Sequence, residues 1–302
     1  MVAAYFLSFF LLALRLVAAG EPVVENAAGE GAPKYFAVDV DNTLAAGKES
    51  HMKRNTDAFR KAIEAGNRLF LATGRSPTSA RYVLTDRFYK ESGYNGYPGV
   101  YLDGSIVYDE DGNLIRDEHI KPDFVEELGK VVSSKCAKYL PVFVTEDKVF
   151  TICNLLPGVG VVYKKFLGVR ELHATSLEDL RNYHIYNIIF RNGDEALQKA
   201  NATAEDYRAL PAQLGFTQIM SPRSNKADGI RVLLEHFGSN FSDCGCVGDS
   251  LNDVEMMNAV RLSYAVGNAT ADAKKAAKKS VATVCDKGAF AEVMKEVYGI
   301  VA

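Results

Sequence analysis

Short apolar runs alternate along most of the chain with segments whose apolar residues recur at helical spacing. Tyr35 to Val40 (YFAVDV) predicts a strand, Thr56 to Ala65 a helix that stops at Gly66, and Arg68 to Ala72 (RLFLA) a second strand. After Thr73-Gly74-Arg75 a helix is expected over Pro77 to Tyr89, with proline in its first turn. A strand at Gly99 to Leu102 and a hairpin turning at Asp111-Gly112 follow. Between Lys121 and Ser221 the rhythm changes to helix Asp123 to Lys138, strands near Pro141 to Val144 and Val149 to Cys153, and a helix near Val159 to Phe166. Strand Ile185 to Phe190, helix Asp194 to Leu210 and strand Phe216 to Met220 complete this segment. The βα alternation then resumes: helix Ala227 to Phe237, strand Cys244 to Val247, helix Asp253 to Asn258, strand Leu262 to Val266 and helix Ala271 to Lys279. The pattern predicts an α/β fold: a Rossmann-like core with a parallel sheet, formed by 34–120 and 222–302, into which an α+β domain over 121–221 is inserted. Ligands of such sheets bind at the carboxyl ends of the strands.

Composition narrows the partner. The chain has 302 residues, 48% hydrophobic, with 35 Lys+Arg against 38 Asp+Glu and a net charge of −3. With no long basic block, capture of nucleic acid is not expected, and a small molecule is the favoured ligand. Ala3 to Ala19 is apolar apart from Ser8 and Arg15 and closes on small residues, which reads as a cleaved signal peptide over 1–19. An uncleaved anchor is the other reading, and 20–33 reads as a flexible linker. This places the protein in a secreted or endomembrane-lumen compartment without stable membrane insertion after cleavage; without cleavage of a signal it would be cytoplasmic. Five cysteines, Cys136, Cys153, Cys244, Cys246 and Cys285, are too few and scattered for a disulfide scaffold, and their odd count leaves at least one thiol unpaired. Cys244 and Cys246 read as buried strand residues. Sequons at Asn201, Asn240 and Asn268 are short enough to arise by chance.

The chemistry-bearing residues fall at predicted strand ends. Asp39 and Asp41 end the first strand two residues apart, a crowding of like charge that a bound cation relieves. Thr73 and Gly74 end the next strand and offer a hydroxyl and backbone N–H groups to a phosphate oxygen. Lys226 opens a helix and could neutralise a dianion. Asp249, Asn252 and Asp253 follow the apolar strand at Cys244 and suit a hard cation such as Mg²⁺. Each alone has a plainer reading: a surface loop, a helix cap, a solvated lysine. Tyr183, His184, Tyr186 and Asn187 in the insert are read as local packing.

Together and in this order, the four motifs resemble the haloacid dehalogenase superfamily, in its Cof-type subgroup with a C2B-type cap inserted between the second and third motifs. Ala72-Thr73-Gly74-Arg75, Asn225-Lys226-Ala227-Asp228-Gly229-Ile230 and Ala265-Val266-Gly267-Asn268-Ala269 fit that subgroup, and the resemblance spans about Tyr35 to Val297. It implies a phosphatase acting on small phosphorylated metabolites, sugar phosphates foremost, with Asp39 as nucleophile, Asp41 as general acid and base, and Thr73 and Lys226 stabilising the transferring group. It further implies substrate binding by Gly74, Arg75 and Asn252, and Mg²⁺ held by Asp39, the backbone carbonyl of Asp41, Asp249 and Asp253. A phosphosugar mutase or a non-catalytic binding protein are the alternatives. Two positions depart from the subgroup: Asn42 where glycine is common, a residue that tolerates positive φ, and Asp103-Gly104-Ser105 where Asn-Gly-Ala is usual. No oligomeric state is readable.

Overall fold

The computed structural model describes residues 31–45 and 49–302, with the side chains of 49–51 and of residue 213 excepted. The predicted signal peptide and nearly all of the predicted linker lie outside the described residues. Among them, no helix is long and apolar enough to cross a membrane.

The first sheet has eight strands in the order β14-β13-β12-β1-β2-β3-β4-β5. Its central strands, β1 (Tyr35–Val38), β2 (Arg68–Ala72) and β12 (Cys244–Gly248), are parallel neighbours. β1 and β12 are buried throughout, and their unbroken apolar runs follow from burial on both faces. β3 (Gly99–Tyr101) and β13 (Leu262–Ala265) extend the parallel part, and the short β14 (Lys279–Ser280) closes that edge. The antiparallel β4 (Ile106–Tyr108) and β5 (Leu114–Asp117) form the other edge. Helices cover the sheet: α1 (Glu49–Glu64), α2 (Pro77–Ser92), α7 (Lys226–His236), α8 (Val254–Ala259), α9 (Ala271–Ala276) and α10 (Ala289–Tyr298). Asn225 caps α7 by accepting from the Asp228 N–H at 2.8 Å, so that Lys226 begins the helix at the carboxyl edge of the sheet. Gly104, at φ +87°, lies so near this start that a Cβ would sit 2.1 Å from the Asn225 carbonyl oxygen; only glycine allows the approach.

The inserted segment carries α3 (Pro122–Ser133), α4 (Cys136–Tyr139), α5 (Pro157–Leu167) and α6 (Gly193–Lys199). They accompany a second sheet of six strands, β10-β11-β9-β6-β7-β8. Its strands are β6 (Val142–Val144), β7 (Val149–Thr151), β8 (His173–Ala174), β9 (Asn187–Arg191), β10 (Arg208–Pro211) and β11 (Phe216–Met220). Where one helix over Asp194 to Leu210 was expected, α6 stops at Lys199. Asn201 turns into the left-handed region at φ +49°, and 208–211 pairs antiparallel with β11. The expected helix from Asp123 ends at Ser133, with a separate turn from Cys136 to Tyr139.

The structure adds one pair to the cysteine reading. Although five cysteines make no scaffold, Cys136 and Cys153 are joined by a disulfide that ties the start of α4 to the chain just after β7. Cys244, Cys246 and Cys285 are free and buried. At the junction of the two sheets Asp117 accepts from the Tyr186 hydroxyl at 3.0 Å and meets His184 Nδ1 at 3.0 Å, while the His184 and His119 rings stack with centroids 4.0 Å apart. His184 and Tyr186 thus fasten the inserted domain to β5.

Candidate active site

The carboxyl ends of β1, β2 and β12 meet beneath a cavity of about 790 Å³ whose opposite wall is the inserted domain. Asp39 follows β1, is 4% exposed, and has its N–H bonded to the Val247 carbonyl, which locks the residue to the neighbouring strand. The chain then turns sharply through Asn42, at φ +54°, in the left-handed conformation that asparagine accepts more readily than most residues. Thr73 is fully buried at the end of β2, with its hydroxyl accepting from the Arg75 N–H at 3.2 Å. After β12, Asp253 accepts from the N–H groups of Asp249 (2.8 Å) and Ser250 (3.0 Å), fixing the loop that carries Asp249 and Asn252.

Lys226 joins the two loops. Its Nζ, with no exposed surface, donates to Asp39 Oδ1 at 2.7 Å and to Asp253 Oδ1 at 2.6 Å. Burial by itself would lower its pKa, yet the carboxylates of Asp253, Asp39 and Asp103 outweigh that and hold it above the ordinary lysine value. The acids shift upward as well, which for a carboxyl disfavours the charged form. Burial first, and then Asp253, raise Asp39 well above the usual carboxylate range, against the pull of Lys226. Asp249 is pushed up to about 7 by burial and by Asp253.

A cation fits here. Carboxylate oxygens of Asp39, Asp249 and Asp253 lie within 4.8 Å of one another, and Asp39 Oδ2 is buried with no hydrogen-bond partner. One lysine facing this many acids leaves negative charge uncompensated in a buried site, which oxygen-preferring Mg²⁺ would relieve.

The remaining residues take positions that their spacing could not show. The Asp41 side chain is paired bidentately with Arg75, Nε to Oδ2 and Nη2 to Oδ1, both at 2.7 Å. Arg75 Nη1 also donates to the Leu167 carbonyl of the inserted domain at 3.0 Å, and Ser79 Oγ donates to that same oxygen at 2.5 Å. Gly168 makes this landing possible. At φ +62° it lies where a Cβ would be 2.5 Å from Arg75 Nη1. Arg75 therefore links Asp41 to the inserted domain. Asp103 is buried at φ +54° and accepts from Asn252 Nδ2 at 2.8 Å and from Gln218 Nε2 at 3.1 Å. Gln218 and Asn187 both line the cavity; Asn187 was read from the sequence as local packing, and Gln218 had no signal beyond being a polar residue in a predicted strand.

A family model for haloacid dehalogenase-like hydrolases matches residues 36–294. The chain is 24% identical over 249 residues to the Endoribonuclease YBEY, chloroplastic, of Arabidopsis thaliana. The match takes in 78% of this chain and 41% of that one, so the chain spans about two fifths of that relative's length. It is 23% identical over 290 residues to phosphatase YwpJ of Bacillus subtilis (strain 168), covering 87% of this chain and 99% of the relative. Among solved structures, one described as a HAD/COF-like hydrolase from Plasmodium vivax superposes with a TM-score of 0.79 at 25% identity, over 91% of this chain and 99% of the other.

Proposed function

Because the chain belongs to the haloacid dehalogenase-like hydrolases, in the Cof-type subgroup, we propose that it is a Mg²⁺-dependent phosphomonoesterase that works through an aspartyl-phosphate on small phosphorylated metabolites. The single observation that carries this reading is Asp39. It is a buried carboxylate with one oxygen held by Lys226 and the other, Oδ2, free of any partner, at the floor of the cavity.

Asp39 Oδ2 attacks phosphorus, forming an Asp–O–P bond as the bond from phosphorus to the alcohol oxygen breaks. Asp41 gives its proton to the departing oxygen. It then takes a proton from water, whose oxygen attacks phosphorus and releases Asp39 and phosphate. Arg75, bidentate on Asp41 here, positions the carboxyl, and one of its two oxygens must leave Arg75 to carry the proton. Lys226, Thr73, the Gly74 backbone and Asn252 meet the charge on the transferring oxygens, with Asn252 oriented by Asp103. Mg²⁺, held by Asp39, the Asp41 backbone carbonyl, Asp249 and Asp253, would supply charge neutralisation between nucleophile and phosphate.

The catalytic core corresponds on this reading to 34–120 and 222–302, and the cap to 121–221. The Cys136–Cys153 disulfide favours an oxidising lumen or the cell exterior, in keeping with the signal peptide expected over 1–19. The test is phosphate release from a panel of phosphate esters, with Mg²⁺ and with chelator, by the protein and its Asp39→Asn variant. Metal-dependent release that the variant lacks is expected. Release that survives the substitution would remove Asp39 as nucleophile, and isomerised sugar phosphate without release would favour a mutase.

A further inference from the structure

Where β5 passes into the inserted domain, three metal-capable side chains gather. Asp117 ends β5, His119 stands two residues on, at the crossing into the cap, and His184 belongs to the cap segment before β9. Two backbone bonds set this crossing. Glu118 N–H donates to the Ser105 carbonyl of the core at 2.8 Å, and Ile120 N–H donates to the Ile185 carbonyl of the cap, also at 2.8 Å. His119 and His184 each precede a residue of that second pair, so their rings come side by side and stack. Both turn Nδ1 toward one carboxylate: His184 Nδ1 lies 3.0 Å from Asp117 Oδ2, and His119 Nδ1 lies 3.4 Å from Oδ1. One donor atom from each of the three residues falls within 4.8 Å of the other two; among the described residues, the other such group is Asp39, Asp249 and Asp253.

The two clusters suit different ions. Three carboxylates favour a hard, oxygen-seeking cation, whereas two imidazoles with one carboxylate are a donor set for Zn²⁺ and its neighbours among the transition metals. With bonds of about 2.0–2.1 Å, neighbouring donors of a tetrahedral Zn²⁺ lie about 3.3 Å apart, close to the 3.0 and 3.4 Å found between Asp117 and the two histidines. The rings are 13° from parallel, so one ion on both Nδ1 atoms requires them to fan open about their terminal torsions, which are broad and soft. The His184 side chain is 57% exposed, which gives it room to turn and gives the ion a path in and a water as fourth ligand. The carboxylate is already oriented: the Tyr186 hydroxyl donates to Asp117 Oδ1 at 3.0 Å, the kind of outer partner that steadies a metal-ligating carboxylate.

We infer that Asp117, His119 and His184 form a binding site for a transition-metal dication, Zn²⁺ foremost, that shares no residue with the catalytic cluster and clasps the cap to the core. Asp117 belongs to the core sheet and His184 to the cap, so an ion held by both favours the arrangement in which they meet, by its differential affinity for that arrangement. The site does not depend on the phosphomonoesterase reading.

The experiment titrates Co²⁺, which accepts the same donors and reports its coordination by visible absorption, into the protein with Mg²⁺ in excess, and then displaces it with Zn²⁺. One Co²⁺ per chain with the strong band of a four-coordinate ion is expected. His119→Ala and His184→Ala should each weaken binding by more than about 100-fold and remove the band, and Tyr186→Phe should weaken it by about tenfold. Asp39→Asn should leave the band and the affinity unchanged. Hydrogen exchange reads the clasp: Zn²⁺ should slow the Ile120 amide by about tenfold in the wild-type protein and not in His184→Ala. Absence of the four-coordinate band, or a band that survives His184→Ala, would overturn the site. A band lost in Asp39→Asn would assign the ion to the catalytic cluster and overturn it equally. Exchange at Ile120 that ignores Zn²⁺ while the band is present would overturn the clasp.

Discussion

The floor and roof of the cavity are built from different kinds of sheet. The floor is the carboxyl edge of parallel strands, where Asp39, Thr73 and Asp249 follow β1, β2 and β12 side by side and one lysine from α7 reaches between two of the loops. Its polar groups bind one another, and the strand ends set their spacing. The roof is the face of a mainly antiparallel sheet, so successive residues alternate between the cavity and the cap's own helices. Ile188 and Phe190 join Phe143, Phe150 and Ile219 in the small core beneath α3 and α6, while Ile189 and Val144 face the other way and pack with the main core. The proposed reaction chemistry thus belongs to the strand ends, while the cap contributes one sheet face to the cavity wall. The two regions meet at Arg75, which grips Asp41 below and the Leu167 carbonyl above.

This division can be tested from either side, beginning with the floor. Asp39→Asn should lower kcat by at least about 10⁴-fold with the circular dichroism spectrum unchanged, since it removes the attacking oxygen but no packing. Replacing Lys226 by Met should be next in size. It strands Asp39 and Asp253 as buried carboxylates without their cation and should cost about 3–5 kcal/mol in urea unfolding in chelator. A loss below about 1 kcal/mol would show that the acids simply protonate. At the contact between the regions, Gly168→Ala places a Cβ against Arg75 and should lower kcat by about tenfold through the orientation of Asp41, with the Mg²⁺ titration midpoint unmoved. An unaltered kcat would mean that the cap does not rest on Arg75 during turnover.

In the roof, Cys136→Ser opens a loop with a sequence separation of 17 and should cost the cap about 3 kcal/mol, read as faster proteolysis within 121–221 while 34–120 stays protected. A further effect belongs to pH. Asp249 titrates at about 7 in the folded chain and at an ordinary 3.8 when unfolded, so between these values the folded state binds more protons. Stability in chelator should therefore decline as pH rises from about 4 to 7 and level off above that, and Asp249→Asn should flatten that slope in thermal melts.

How much was legible follows the same line. The strand ends were readable because each motif directly follows a short buried run, as Asp39 follows YFAV and Asp249 follows CGCVG, and short-range sequence fixes both. Asn42 was readable too, since its φ of +54° is what asparagine tolerates at a tight turn. The stretch from Asp194 to Leu210 was misread because the chain turns away after Lys199 and its last residues, 208–210, are held as a strand by β11, a partner supplied by tertiary pairing and not by local preference. The Cys136–Cys153 bridge was hidden because a spacing of 17 residues says nothing of whether two thiols face each other.

The sequence by itself determined the alternation of strands and helices, the order of the four motifs and the acids, lysine and threonine at strand ends, because these depend on residues adjacent in the chain. The tertiary structure alone decided that Arg75 holds Asp41, that Asp103 holds Asn252 and Gln218, and that Asn187 lies on the cavity wall with its amide oxygen buried and unpartnered. Those contacts join residues 34 to 149 positions apart, or depend on which face of a strand is turned inward, and only the packing of one sheet over the other brings them together.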